Sequence, residues 1–230
     1  MKTIGLIGGM TWHSTADYYR FLNEDVHRRL GGAHSAAIAM YSVDFDEIEN
    51  QQVAGNWDRL NVLMSEAALK VKAAGADLIL ICANTMHRTA EAVAKASGLP
   101  LVHIADAAAA EIKRLKLKTV GLLGTRYTME MDFYKDRLAE KHGLKVLIPD
   151  DKQRTLVHDI IYHELAYGRI LTESRAVYQE VIADLQKRGA EGIVLGCTEI
   201  PLLIKPADSP IPTFDTTELH CKAAVDAALA

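Results

Sequence analysis

A chain of 230 residues, 49% hydrophobic and with 15 Gly spread along its length, can bury one large core or two modest ones. Its net charge of −4 and scattered Lys and Arg exclude the basic stripe that neutralises nucleic-acid phosphates. The longest apolar runs are strand-sized, too short for a membrane span, and the run in MKTIGLIGGM is too short for a signal-peptide core.

In chain order, apolar runs predict strands at 3–7 (TIGLI), 37–43 (AIAMYSV), 77–82, 101–104 (LVHI), 119–123 (TVGLL), 144–148 (LKVLI) and 192–195 (GIVL). Between and after them, Ala/Leu/Glu/Lys patterns predict helices at about 15–31, 56–74, 87–97, 105–116, 129–142, 152–167, 172–188 and 216–229. Unbroken apolar strands alternating with helices predict an α/β fold: parallel sheets covered by helices on both faces.

Internal similarity divides this pattern in two. TIGLIGGMTW at 3–12 matches TVGLLGTRYT at 119–128, an offset of 116, and GADLILICANT at 75–85 matches GAEGIVLGCTE at 189–199, an offset of 114. Two pseudo-symmetric Rossmann-like halves follow, one holding 1–98 with 211–230 and the other 99–210. Ligands of open parallel sheets sit beyond the carboxyl ends of the strands. Those ends are 8–12, 82–87, 124–128 and 196–200, and two facing halves would gather them around one cleft. Their Gly, Thr, Asn, Cys and His residues suit a small polar ligand.

The chemistry concentrates at these strand ends. Gly8-Gly9-Met10 has the spacing of neither a dinucleotide fingerprint nor a P-loop, which leaves a tight turn whose N–H groups could hold a carboxylate. The three cysteines, Cys82, Cys197 and Cys221, are widely spaced and form no disulfide framework or metal pair, so a reducing cytoplasm is the simplest compartment. Cys197 follows a predicted strand in Leu-Gly-Cys-Thr-Glu; a helix starting there would favour its thiolate. Cys82 points to the other side of its strand and Cys221 lies in an Ala-rich helix, so both read as core. The 114 offset places Ala83, not Cys82, at the counterpart of Cys197. Two proton-handling groups on opposite faces of one carbon would invert a stereocentre, and one of the pair is here a methyl group. His87 and His103 titrate near neutrality and could serve as acids or bases. His158 and His163 are off one helical face and make no zinc site. Gln52 and Arg126 lie after strands, where they could meet a ligand.

Together, GLIGGMTWHSTADYY, the Ala-Asn-Thr segment, LLGTRYTM and GCTEIP resemble the aspartate/glutamate racemase superfamily along essentially the whole chain, most closely its L-aspartate/glutamate-specific branch. The resemblance implies a cofactor-independent, metal-free isomerase of two α/β domains, often a homodimer, acting on an acidic amino acid by two-base 1,1-proton transfer. It implies Cys197 as one thiol and Ala83 in the seat of the other. It further implies that Met10, Gln52, Asn84, Thr85, Thr125, Thr128, Thr198 and Glu199 hold the substrate. Three departures stand out: Ala83 cannot move a proton, Ala166 stands where aspartate racemases carry lysine, and Gln52 where some relatives carry arginine. Hydantoin racemisation, maleate isomerisation, arylmalonate decarboxylation and non-catalytic amino-acid binding remain as alternatives.

Overall fold

The computed structural model describes residues 1–230. They divide into two compact units, Met1–Ile104 with His220–Ala230, and Ala105–Leu219. No helix is long and apolar enough to cross a membrane.

In the first unit β1 (Ile4–Gly8) leads into α1 (Trp12–Leu30), then β2 (Ile38–Ser42), α2 (Phe45–Val53), α3 (Trp57–Ala73) and β3 (Leu78–Ile81). A 3-10 turn over Thr85–Thr89 continues into α4 (Ala90–Ser97), and α5 (Ile104–Arg114) starts at the unit's boundary. The sheet is parallel, in the order β2-β1-β3. β1 and β3 are buried along their whole length because helices cover both faces, which explains strands that are apolar without alternation. Ile7, Ile79, Ile81 and Ala83 pack on one face with Met64 and Val71 of α3 and Val93 of α4. Leu6, Leu78, Leu80 and Cys82 pack on the other with Tyr18 and Leu22 of α1 and with Cys221 and Val225. Each fully buried aliphatic chain is worth roughly 1.5–3 kcal/mol.

The second unit has β4 (Thr119–Gly124), two short helices, α6 (Arg126–Glu130) and α7 (Asp132–Asp136), and a π-type turn at Arg137–Lys141. There follow β5 (Lys145–Leu147), α8 (Asp151–His163), α9 (Thr172–Lys187), β6 (Gly192–Gly196), α10 (Ile200–Leu203), β7 (Thr213–Asp215) and α11 (Thr216–Leu229), which belongs to the first unit from His220 onward. Its parallel sheet runs β5-β4-β6-β7, the first sheet's order with one strand added.

The two offsets read in the sequence reappear in the strand registers. Ile4 pairs with Leu78, and Val120 with Gly192; moving 116 residues along from Ile4 and 114 from Leu78 gives the second pair. Side chains repeat too. The Thr3 N–H donates to Asp77 Oδ2 and the Thr119 N–H to Glu191 Oε2, each at 2.7 Å. Both carboxylates fix the start of a strand pair from the neighbouring loop.

The observed elements differ from the predicted ones in four places. The strand expected at 101–104 shrinks to a single bridge between Leu101 and Ile79, because Ile104 already begins α5. Its counterpart β7 pairs over three residues and was not foreseen. DEIENQQ forms α2, started by Asp44, whose carboxylate accepts the Asp46 N–H. The single helix expected at 129–142 is broken at Met131, whose backbone is extended.

Candidate active site

At the end of β6 the chain needs glycine before the cysteine. A Cβ on Gly196 would lie 2.8 Å from both Leu122 Cδ1 and the Leu123 carbonyl oxygen, so β4 and β6 approach too closely there for any side chain. Gly124, its partner in register, faces Thr128 across the same contact. The close approach brings the start of α6 against the end of β6. Thr125 caps α6, its Oγ1 accepting the Thr128 N–H at 3.3 Å, and Thr128 is wholly buried.

Cys197 then falls on the same face as Ile193 and Leu195, packed with residues of α8 and α9 that include Tyr178. Its Sγ–H donates to Glu199 Oε2 at 3.1 Å, and the Thr198 hydroxyl donates to the same oxygen at 2.8 Å. All three residues are buried. Burial first, and then the Glu199 carboxylate, push the Cys197 thiol well above its usual range, outweighing the backbone N–H groups of Glu199 and Ile200, which pull it down. This corrects the expectation of a favoured thiolate: α10 is a single turn, too short to offset desolvation. The resting group is a thiol hydrogen-bonded to a carboxylate. Sequence reasoning missed Tyr178, whose phenol is pushed well above its usual range by burial and donates to the Val157 carbonyl at 3.2 Å. Only its core-facing position on α9 could have pointed to it.

In the first unit, Ala83 lies on the Ile79/Ile81 face, as Cys197 lies on the Ile193/Leu195 face. Face as well as offset therefore makes Ala83 the counterpart of Cys197. Cys82 is fully buried on the opposite face, where desolvation raises its thiol beyond use, and Cys221 packs in the same cluster. Met10 shares the Ala83 cluster. Gln52 is buried in α2 with Nε2 donating to Met86 Sδ at 3.1 Å. Asn84 and Thr85 are buried where the 3-10 turn begins.

The carboxylate-binding turn expected at Gly8-Gly9 is partly used up within the protein. The Gly9 N–H donates to Thr15 Oγ1 at 2.9 Å, and Gly9 itself has φ +94 with no room for a Cβ beside the Val43 carbonyl. Arg126 is half-exposed at α6, its backbone N–H on His158 Nδ1 at 3.2 Å and its guanidinium 4.0 Å from Glu130.

Residues 7–224 match the family model described as Asp/Glu/Hydantoin racemase. A candidate Asp/Glu racemase from Yersinia pestis is 53% identical, with a TM-score of 0.93 over 100% of both chains. PH1733, an aspartate racemase homologue from Pyrococcus horikoshii OT3, is 35% identical over 100% of both chains, with a TM-score of 0.85. The broad specificity amino-acid racemase RacX of Bacillus subtilis (strain 168) is 23% identical over 99% of this chain and 98% of its own. With the paired parallel sheets and the Gly-Cys-Thr-Glu strand end already described, these likenesses show that the chain belongs to the Asp/Glu/Hydantoin racemase family, whose members are isomerases.

Proposed function

We propose that this protein performs cofactor-independent proton chemistry at the α-carbon of an acidic amino acid, L-Asp or L-Glu, with Cys197 as the base acting on the L enantiomer. The hydrogen bond from the Cys197 thiol to Glu199 carries the reading, because it supplies both the base and a place for its proton. Glu199 takes the thiol proton as substrate binds, the thiolate removes the α-proton, and N–H and hydroxyl donors around the substrate carboxylate stabilise the charge that develops. Thr198, Thr125 and Thr128 are the groups we assign to supply such donors, and Asn84, Thr85, Met10 and Gln52 are the further residues assigned to the substrate. Ala83 offers no proton, so reprotonation comes from the Cys197 side. The abstracted proton passes to Glu199 and is traded there for one from solvent. That one returns through the Cys197 sulfur to the same face of the carbanion, which makes exchange with retention the main outcome. A homodimer in the cytoplasm goes with this reading; a monomer by sedimentation at working concentration would remove that part.

The test is incubation of the protein with L-Asp and L-Glu in deuterated water, following the α-proton by NMR and chirality by chromatography. The protein as it stands should exchange the α-proton with little D isomer, and Ala83→Cys or Ala83→Thr should raise inversion by about a hundredfold or more. Rapid inversion by the parent, or exchange that survives Cys197→Ala, would overturn the proposal. A second reading rests on Ala83 itself: a single acid/base suits a reaction with one protonation, such as decarboxylation of a malonate. Carbon dioxide release from arylmalonate, with no exchange on L-Asp or L-Glu, would select it. Binding of L-Glu without exchange of its α-proton would select a non-catalytic binding protein.

A further inference from the structure

Three histidines, His87, His103 and His220, lie buried together in the first unit, and the chemistry proposed above uses none of them. The His87 ring is 4.5 Å from that of His103 and 5.4 Å from that of His220, centre to centre. Main-chain groups fix the His87 proton. Nδ1 lies 2.8 Å from the Ala83 carbonyl oxygen, which can only accept, so Nδ1 carries the hydrogen. Nε2 receives the Ile104 N–H at 3.2 Å, which can only donate, so Nε2 is bare. His220 is set the opposite way. Its Nε2 donates to the Val102 carbonyl at 2.7 Å, and its Nδ1 accepts the Tyr18 hydroxyl at 2.8 Å.

Ala83 and Ile104 are both places where a backbone group would otherwise be left over: the carbonyl at the strand-to-turn junction, and the first N–H of α5. One neutral imidazole satisfies both. We propose that His87 is a positioning residue for the turn of Ala83, Asn84 and Thr85, holding its backbone in register with the start of α5 through the Nδ1–H tautomer. The substrate role of that turn rests on the function proposed above; the tautomer and the restraint do not.

Two variants separate the two bonds. His87→Asn can place an amide N–H near Nδ1 and keep the bond to Ala83, whereas His87→Gln reaches the Nε2 position and keeps only the acceptor for Ile104. Long-range proton–nitrogen NMR of the parent should report Nδ1–H for His87 and Nε2–H for His220. Amide exchange over Asn84–His87 should stay near the parent in His87→Asn and accelerate about five- to tenfold in His87→Gln, the loss of one net hydrogen bond. In the Ala83→Cys background, His87→Gln should raise KM for acidic amino acids several times more than it lowers kcat. An Nε2–H tautomer at His87, or exchange faster in the Asn variant than in the Gln variant, would overturn the proposal. If Ala83→Cys shows no inversion at all, the racemase reading fails, and the NMR and amide-exchange arms still decide the role of His87.

Discussion

Cys197 and Glu199 share one hydrogen bond, and that bond makes opposing demands on them. Burial and the Glu199 carboxylate hold the proton on sulfur, while catalysis needs it to leave. Glu199→Gln removes the charge and should therefore bring the thiol down, though not to its ordinary value, because desolvation remains the larger cause. Alkylation of Cys197 by iodoacetamide at pH 8, read by peptide mass spectrometry, should then run faster in the variant, while α-proton exchange falls by about a hundredfold or more. Slower alkylation would show that Glu199 does not hold the thiol proton in place. That Ala83 occupies the position equivalent to Cys197 was legible in the sequence because an offset carries position and face together. The protonated state of Cys197 was not, since it depends on how deeply α8 and α9 bury it. Nor were the partners of His87, one of which, the Ile104 N–H, lies 17 residues away.

Among the elements, β4 and β6 illustrate how a strand end is aimed. Gly124 and Gly196 are paired in register and leave no space for side chains, so the two backbones close together and Thr128 fits over the junction. Gly196→Ala would push against the Leu123 carbonyl, which cannot swing away, and should cost about 1–3 kcal/mol as overpacking. Thermal unfolding should show the loss, and activity should fall in the surviving folded protein as Cys197 shifts; an unchanged midpoint would mean the strands part easily. Long apolar strands such as β1 and β6 were readable because burial on both faces leaves no alternation to misjudge. β7 and α2 escaped. β7 spans three residues beside a proline-rich loop, and α2 is a short polar helix whose buried Ile48 and Gln52 do not mark a continuous stripe.

Over the whole molecule, acid stability should bear the mark of His220. Burial lowers its pKa from 6.5 to about 4, so the unfolded chain takes up a proton at higher pH than the folded one. Stability from this group is complete above 6.5 and is lost as pH falls towards 4, at about 1.4 kcal/mol per pH unit. His220→Gln should be less stable than the parent at pH 7.5, yet lose less on going to pH 4.5, as denaturant titrations at the two values would show. Equal losses would place the acid sensitivity elsewhere. At this scale the repeat was the most readable feature, because both sheets keep one register and the offsets carry it intact. The exact division was harder to read, since the closing helices do not stay with the strands they follow. α5 follows the first sheet but lies in the second unit from Ala105 onward, and α11 follows the second sheet but lies in the first from His220 onward.

That exchange has a consequence for the order in which the protein can be made. Tyr18 and Leu22, synthesised early, find their covering residues Cys221, Ala224 and Val225 only after the entire second sheet has been translated. The unit that leaves the ribosome first is thus the one that cannot finish, with its α1 face uncovered until His220–Ala230 arrive.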